Sequence, residues 1–75
     1  MTTTTIFSVP EVHCGHCKSA LEGALAPAPG VNNAKVDVVG KTVTVAFDAS
    51  DIGIPALIEI IEGNGYDVEG FQEAS

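Results

Sequence analysis

Tryptophan is absent from this chain of 75 residues, and the other aromatics stop at three Phe and one Tyr. Its core must therefore be aliphatic. Basic residues are scarce as well: three stand against ten acidic ones, for a net charge of -7 at pH 7. That balance argues against binding nucleic acid or an anionic membrane surface, both of which select for positive charge. A macromolecule that docks on such a chain is expected to offer a basic patch, although the charge also serves solubility alone. No long hydrophobic run exists. Nothing approaches the roughly 18 apolar residues of a membrane span, so no membrane insertion is expected. The opening "MTTTT" lacks a basic region, and the apolar "IFSV" after it is far shorter than the roughly 7–15 residues of a signal-peptide core. The cytoplasm is thus the expected compartment, where thiols stay reduced. At this length one domain spanning residues 1–75 is expected, with only about 60% of its unfolded surface buried. The hydrophobic content of 45% nevertheless excludes a disordered chain.

What is present alternates in a readable way, without internal repeats or low-complexity linkers. Residues 3–9, "TTTIFSV", are rich in β-branched types and read as a strand with Phe7 and Val9 on one face. Residues 15–26, "GHCKSALEGALA", read as a helix. Cys17, Leu21, Ala24 and Leu25 follow the i, i+4, i+7, i+8 pattern, with Ala20 beside them and Lys18, Ser19 and Glu22 on the other side. Pro27, Pro29 and Gly30 prevent its continuation. Residues 31–47 read as a hairpin: Ala34, Val36 and Val38 alternate with polar neighbours, as do Val43, Val45 and Phe47. Gly40 stands between the runs, where a tight turn asks for positive φ. A second helix covers Ala56 to Glu62, led by Pro55 at a first helical position. It carries Leu57, Ile58 and Ile61 on one stripe that Ile54 could begin, and Gly63 and Gly65 frame its exit. Residues 66–71, "YDVEGF", complete the pattern as a short strand, and the last four residues are expected to fray. The order β-α-β-β-α-β predicts an α+β, ferredoxin-like sandwich: a four-stranded antiparallel sheet with two helices on one face and the other face open.

Both cysteines and both histidines fall within "VHCGHCKSAL", residues 12–21. Cys14 is placed in the loop before the first helix and Cys17 in its first turn, so both sulfurs can approach one point beyond the helix end. The unpaired N–H groups there carry a partial positive charge that favours anions. Thiols in such positions can have their pKa lowered from about 8.5 to between roughly 3.5 and 7.5. Two soft thiolates suit Cu(I), whereas hard cations such as Mg²⁺ or Ca²⁺ prefer oxygen. Other readings compete. The spacing also serves thioredoxin-like dithiol exchange, although the chain is short and the strand order wrong for that fold. A structural disulfide closing so short a loop would add little stability. Cys17 lies on the apolar stripe and could be a small core residue, a reading that leaves Cys14 unexplained.

Taken with the element order, "VHCGHC" and "GNGYDV" resemble the heavy-metal-associated domain family, in particular its small bacterial copper chaperones, over essentially the whole chain. The resemblance implies that Cys14 and Cys17 are the two metal ligands. It implies that Tyr66 is the tyrosine bacterial members place near the metal loop, where many eukaryotic members have lysine. It implies no enzymatic activity, but binding of one Cu(I) and its delivery to the metal-binding domains of a copper-transporting P-type ATPase. Zinc- and mercury-handling members of the family are the alternatives within it. Mercury binders of the periplasm need an export signal, and zinc members often have an acidic residue where His13 precedes Cys14. Glu11 and Val12 depart from the usual Gly-Met before the first cysteine. That methionine packs under the loop without ligating, and Val12 is expected to do the same with less bulk. The departure bears on loop rigidity more than on metal binding.

His13 and His16 flank the cysteines and are secondary candidates, either as an extra ligand or through their charge, against a reading as solvated loop residues. Lys18 could add positive charge beside a two-thiolate centre, or simply be a solvated helix-face lysine. Tyr66 could equally be ordinary edge packing with its hydroxyl in water. No nucleophile is paired with a general base in a pocket, so carriage is expected in place of catalysis. A partner's third thiolate can attack a low-coordinate ion while two still hold it. An exposed loop would also allow a copper-bridged homodimer through Cys14 and Cys17 of each copy.

Overall fold

The structure is a computed structural model that describes residues 2–13 and 15–73. Its first strand, β1 (Thr2–Ser8), is β-branched through its first five residues, a composition that fits a pleated, half-buried surface. β1 lies inside a four-stranded antiparallel sheet. β3 (Thr42–Asp48) pairs with one of its edges and β4 (Gly70–Glu73) with the other, while β2 (Val31–Asp37) lies beyond β3. Helices α1 (Gly15–Leu25) and α2 (Ile54–Gly63) complete the order β1-α1-β2-β3-α2-β4. This is the ferredoxin-like α+β fold that the order of elements predicts.

The two-residue period of the strands and the stripes of the helices meet in one aliphatic core. Phe7 from β1, Val9 just beyond its end (the strand expected over 3–9 stops at Ser8), Val36 from β2, and Val43, Val45 and Phe47 from β3 are buried together with Leu21 and Leu25 of α1 and Leu57 and Ile61 of α2. Register aligns the set: Phe7 and Val36 both lie opposite Val43. Burial of each such side chain contributes about 1.5–3 kcal/mol. Thr5 shares this face, fully buried opposite Val45, and its hydroxyl has no hydrogen-bond partner. On the other face Thr4, Ile6, Ser8, Thr42, Thr44 and Ala46 are half-buried against one another. The two prolines end α1 as expected. Gly30 then turns the chain with φ 89°, and a side chain there would come within 2.7 Å of Asp51 Cβ. At this same end Asp48 accepts hydrogen bonds from the Ser50 hydroxyl (2.6 Å) and Ser50 N–H (3.0 Å). These bonds hold its carboxyl below the usual range.

Four expectations are corrected. The last strand is Gly70–Glu73, not 66–71. Asp67 N–H is taken by the side chain of Glu11 at 2.7 Å, so this stretch does not join the ladder of β1 until Glu69 N–H meets the Ser8 carbonyl at 2.8 Å. Gln72 and Glu73 do not fray: they pair with Ile6 and Thr5, while residues 74–75 lie outside the described residues. The positive φ of the β2–β3 turn falls on Lys41 (57°), not Gly40. Gly40 supplies room instead: its N–H meets Asp37 Oδ1 at 3.0 Å, and an added Cβ would lie 2.9 Å from Asp37 Oδ2. Finally, Glu22 does not simply face solvent. Its Oε2 accepts from Val36 N–H at 3.0 Å, tying α1 to the outward edge of β2 and blunting that edge against further pairing.

Candidate metal centre

The connection from β1 to α1 is a tight turn built on two buried valines. Val9 N–H donates to the Lys41 carbonyl at 3.0 Å, and Val12 N–H donates back to the Val9 carbonyl at 3.1 Å. Both side chains are fully buried in the core, while Pro10 and Glu11 stand exposed at the tip. Val12 thus packs under the loop, as expected of the residue in the usual methionine position. Lys41 supports the turn a second time, with Nζ 3.4 Å from the Pro10 carbonyl oxygen.

Gly15 opens α1, and Cys17 is its third residue, buried at 6% exposure at the head of the Cys17–Leu21–Leu25 stripe. First-turn N–H groups of a helix have no partner within it and make this end partially positive. Cys14 lies outside the described residues. His13 and His16 are exposed. The Nδ1–H of His13 donates to the Glu11 carbonyl at 2.7 Å, which leaves Nε2 as the uncommitted ring nitrogen. Among the described residues no three His, Cys, Asp or Glu side chains gather into a metal-holding group. Lys18, exposed in the first turn, lines a surface groove with Lys35, Val38 and Val39, the last of these 94% exposed.

A second loop runs alongside. α2 ends where Asn64 N–H meets the Ile61 carbonyl at 3.1 Å and Gly65 N–H meets the Glu62 carbonyl at 3.0 Å, with Gly65 at φ 91°. Tyr66 follows, half-buried and packed on the core cluster that contains Val12 and Cys17. The Glu11 carboxylate then joins the two loops through Asp67 N–H. Sequence reasoning gave Glu11 no role beyond marking a departure. A carboxylate where glycine is usual was the available signal.

Comparison with known proteins gives this geometry its context. Residues 6–67 match the model of a family described as "Heavy-metal-associated domain". The chain is similar to the copper chaperone CopZ of Staphylococcus aureus (strain bovine RF122 / ET3-1), at 41% identity over 63 residues, 84% of this chain and 93% of that protein. It superimposes on a solved CopZ metallochaperone with TM-score 0.84 and 40% identity, covering 87% of this chain and 97% of that one. It also superimposes on the N-terminal domain of a potential copper-translocating P-type ATPase from Bacillus subtilis, solved in the Cu(I)-loaded state. There the TM-score is 0.85 at 30% identity, with 96% and 92% of the two chains covered. With a matching family model over most of its length and relatives this similar, the chain belongs to the heavy-metal-associated domain family.

Proposed function

We propose that this protein is a copper chaperone that grips Cu(I) between the thiolates of Cys14 and Cys17 and passes it to the metal-binding domains of a copper-transporting P-type ATPase in the cytoplasm. The observation that carries the reading is the position of Cys17 in the first turn of α1, in a chain 41% identical to a protein named as a copper chaperone. Soft thiolates at the positive end of a helix suit a soft monovalent cation. The role is carriage, not catalysis. Among the described residues no helix is long and apolar enough to cross a membrane.

Burial of Cys17 gives the two ligands different parts. At 6% exposure Cys17 offers an incoming thiolate little access, so Cys17 lets go last. Exposed His13, Gly15 and His16 leave room for that approach, and for a second copy to share the ion in a copper-bridged homodimer. The test is competition with a Cu(I) chelator under anaerobic conditions. The wild type should retain one copper per chain, and the double variant Cys14→Ser, Cys17→Ser should retain none. Equal retention by both overturns the site. Efficient turnover in a disulfide-reduction assay would favour dithiol exchange instead.

A further inference from the structure

Glu11 bridges the two loops of the candidate site across 56 positions of sequence: its Oε1 accepts from Asp67 N–H at 2.7 Å. The same residue's carbonyl accepts from His13 Nδ1–H at 2.7 Å. It therefore holds the residue before Cys14 with its backbone and the residue after Tyr66 with its side chain. The bonded N–H belongs to the peptide plane that begins at the Tyr66 carbonyl, and that plane is rigid. Fixing it sets the direction in which the chain leaves Tyr66, and so the side chain's position on the core cluster. Hydrogen bonds from N–H to a carboxylate are shorter and stronger than neutral ones, in keeping with the 2.7 Å separation.

Both ends of the bridge are exposed, and the chain already carries seven excess negative charges, so a carboxylate in the loop needs a specific reason. Nor does this bond close a ladder: β4 begins only at Gly70, three residues further on. Its effect is to hold the α2–β4 loop against the β1–α1 loop where no sheet pairing does so. We infer that Glu11 is a positioning residue, a clamp that keeps the Tyr66-bearing loop against the metal loop and so slows the loss of copper. This inference rests on the copper-carrying function proposed above.

Two measurements on the full chain separate the clamp from that function. The first is hydrogen exchange at the Asp67 amide, followed by NMR in metal-free wild type, Glu11→Ala and Glu11→Gln. Gln keeps an acceptor oxygen, so Glu11→Gln should protect Asp67 nearly as the wild type does. Glu11→Ala should exchange faster by on the order of tenfold, the scale of one such bond. The second is the rate of Cu(I) loss to a chelator, at matched folded fraction. Loss should be on the order of tenfold faster in Glu11→Ala and nearly normal in Glu11→Gln. Unchanged Asp67 exchange in Glu11→Ala overturns the clamp. Faster exchange with unchanged copper loss overturns the positioning role and leaves a purely structural bond. A wild type that holds no copper overturns the function, and the positioning role with it, while the Asp67 result still decides whether the clamp exists.

Discussion

The two helices lie against one sheet but divide their work differently. α2 is built for packing: Leu57 and Ile61 are fully buried, and Ile54, Ile58 and Ile60 are half-buried around them. Pro55 opens it with φ already set, and Gly65 closes it in the left-handed region that glycine tolerates. α1 buries Cys17, Leu21 and Leu25. Its first turn gives the buried position to a thiol and exposes Gly15, His16 and Lys18. A polar tie adds to its contact with β2, the Glu22 carboxylate on Val36 N–H. A helix that must present chemistry at its leading end keeps fewer aliphatic side chains there and packs through its later turns, at Leu21 and Leu25.

The widest separation between the helices comes from truncating each buried stripe. Leu57→Ala should lower unfolding free energy by about 2–5 kcal/mol, read from urea denaturation, while the folded fraction still binds copper. Cys17→Ala should cost about 1 kcal/mol, since it removes one sulfur atom, yet abolish copper retention. A Cys17→Ala loss as large as that of Leu57→Ala, with copper retained, would make Cys17 a core residue and no ligand. Next in size, Glu22→Ala leaves the half-buried Val36 N–H without its acceptor and should cost about 1–2 kcal/mol. No measurable loss would mean that α1 depends on its stripe alone. Smallest, and opposite in sign, is a change in the sheet that carries both helices. Thr5→Val replaces the unpartnered buried hydroxyl with a methyl of similar size and should raise stability by about 1 kcal/mol. A lower urea midpoint would show that the hydroxyl has a role in the folded core.

The order of elements was legible because each signal was local and periodic. Alternation marked Val43, Val45 and Phe47, the four-residue rhythm marked Cys17, Leu21 and Leu25, and two prolines marked the end of α1. What escaped the sequence were the contacts between a side chain and a distant backbone. Glu22 looks like a solvent-facing position until β2 is placed beside it. The alternation of "YDVEGF" reads as a strand because nothing local reveals that Glu11 takes the N–H of Asp67. The turn after β2 misled for the opposite reason. Asp37 folds its carboxylate onto Gly40 N–H, so glycine was needed for space, and the left-handed residue became Lys41. Of the site, Cys17 and Val12 stand where the pattern puts them, and the cross-link between the two loops was invisible.

The most direct measurement is X-ray absorption at the copper edge on anaerobically loaded wild-type protein, together with the Cys14→Ser, Cys17→Ser variant. Carriage between two thiolates predicts monovalent copper with a sulfur shell from two cysteines in the wild type and no bound copper in the variant. A first shell dominated by histidine nitrogen, or the same copper signal in the variant, would contradict it.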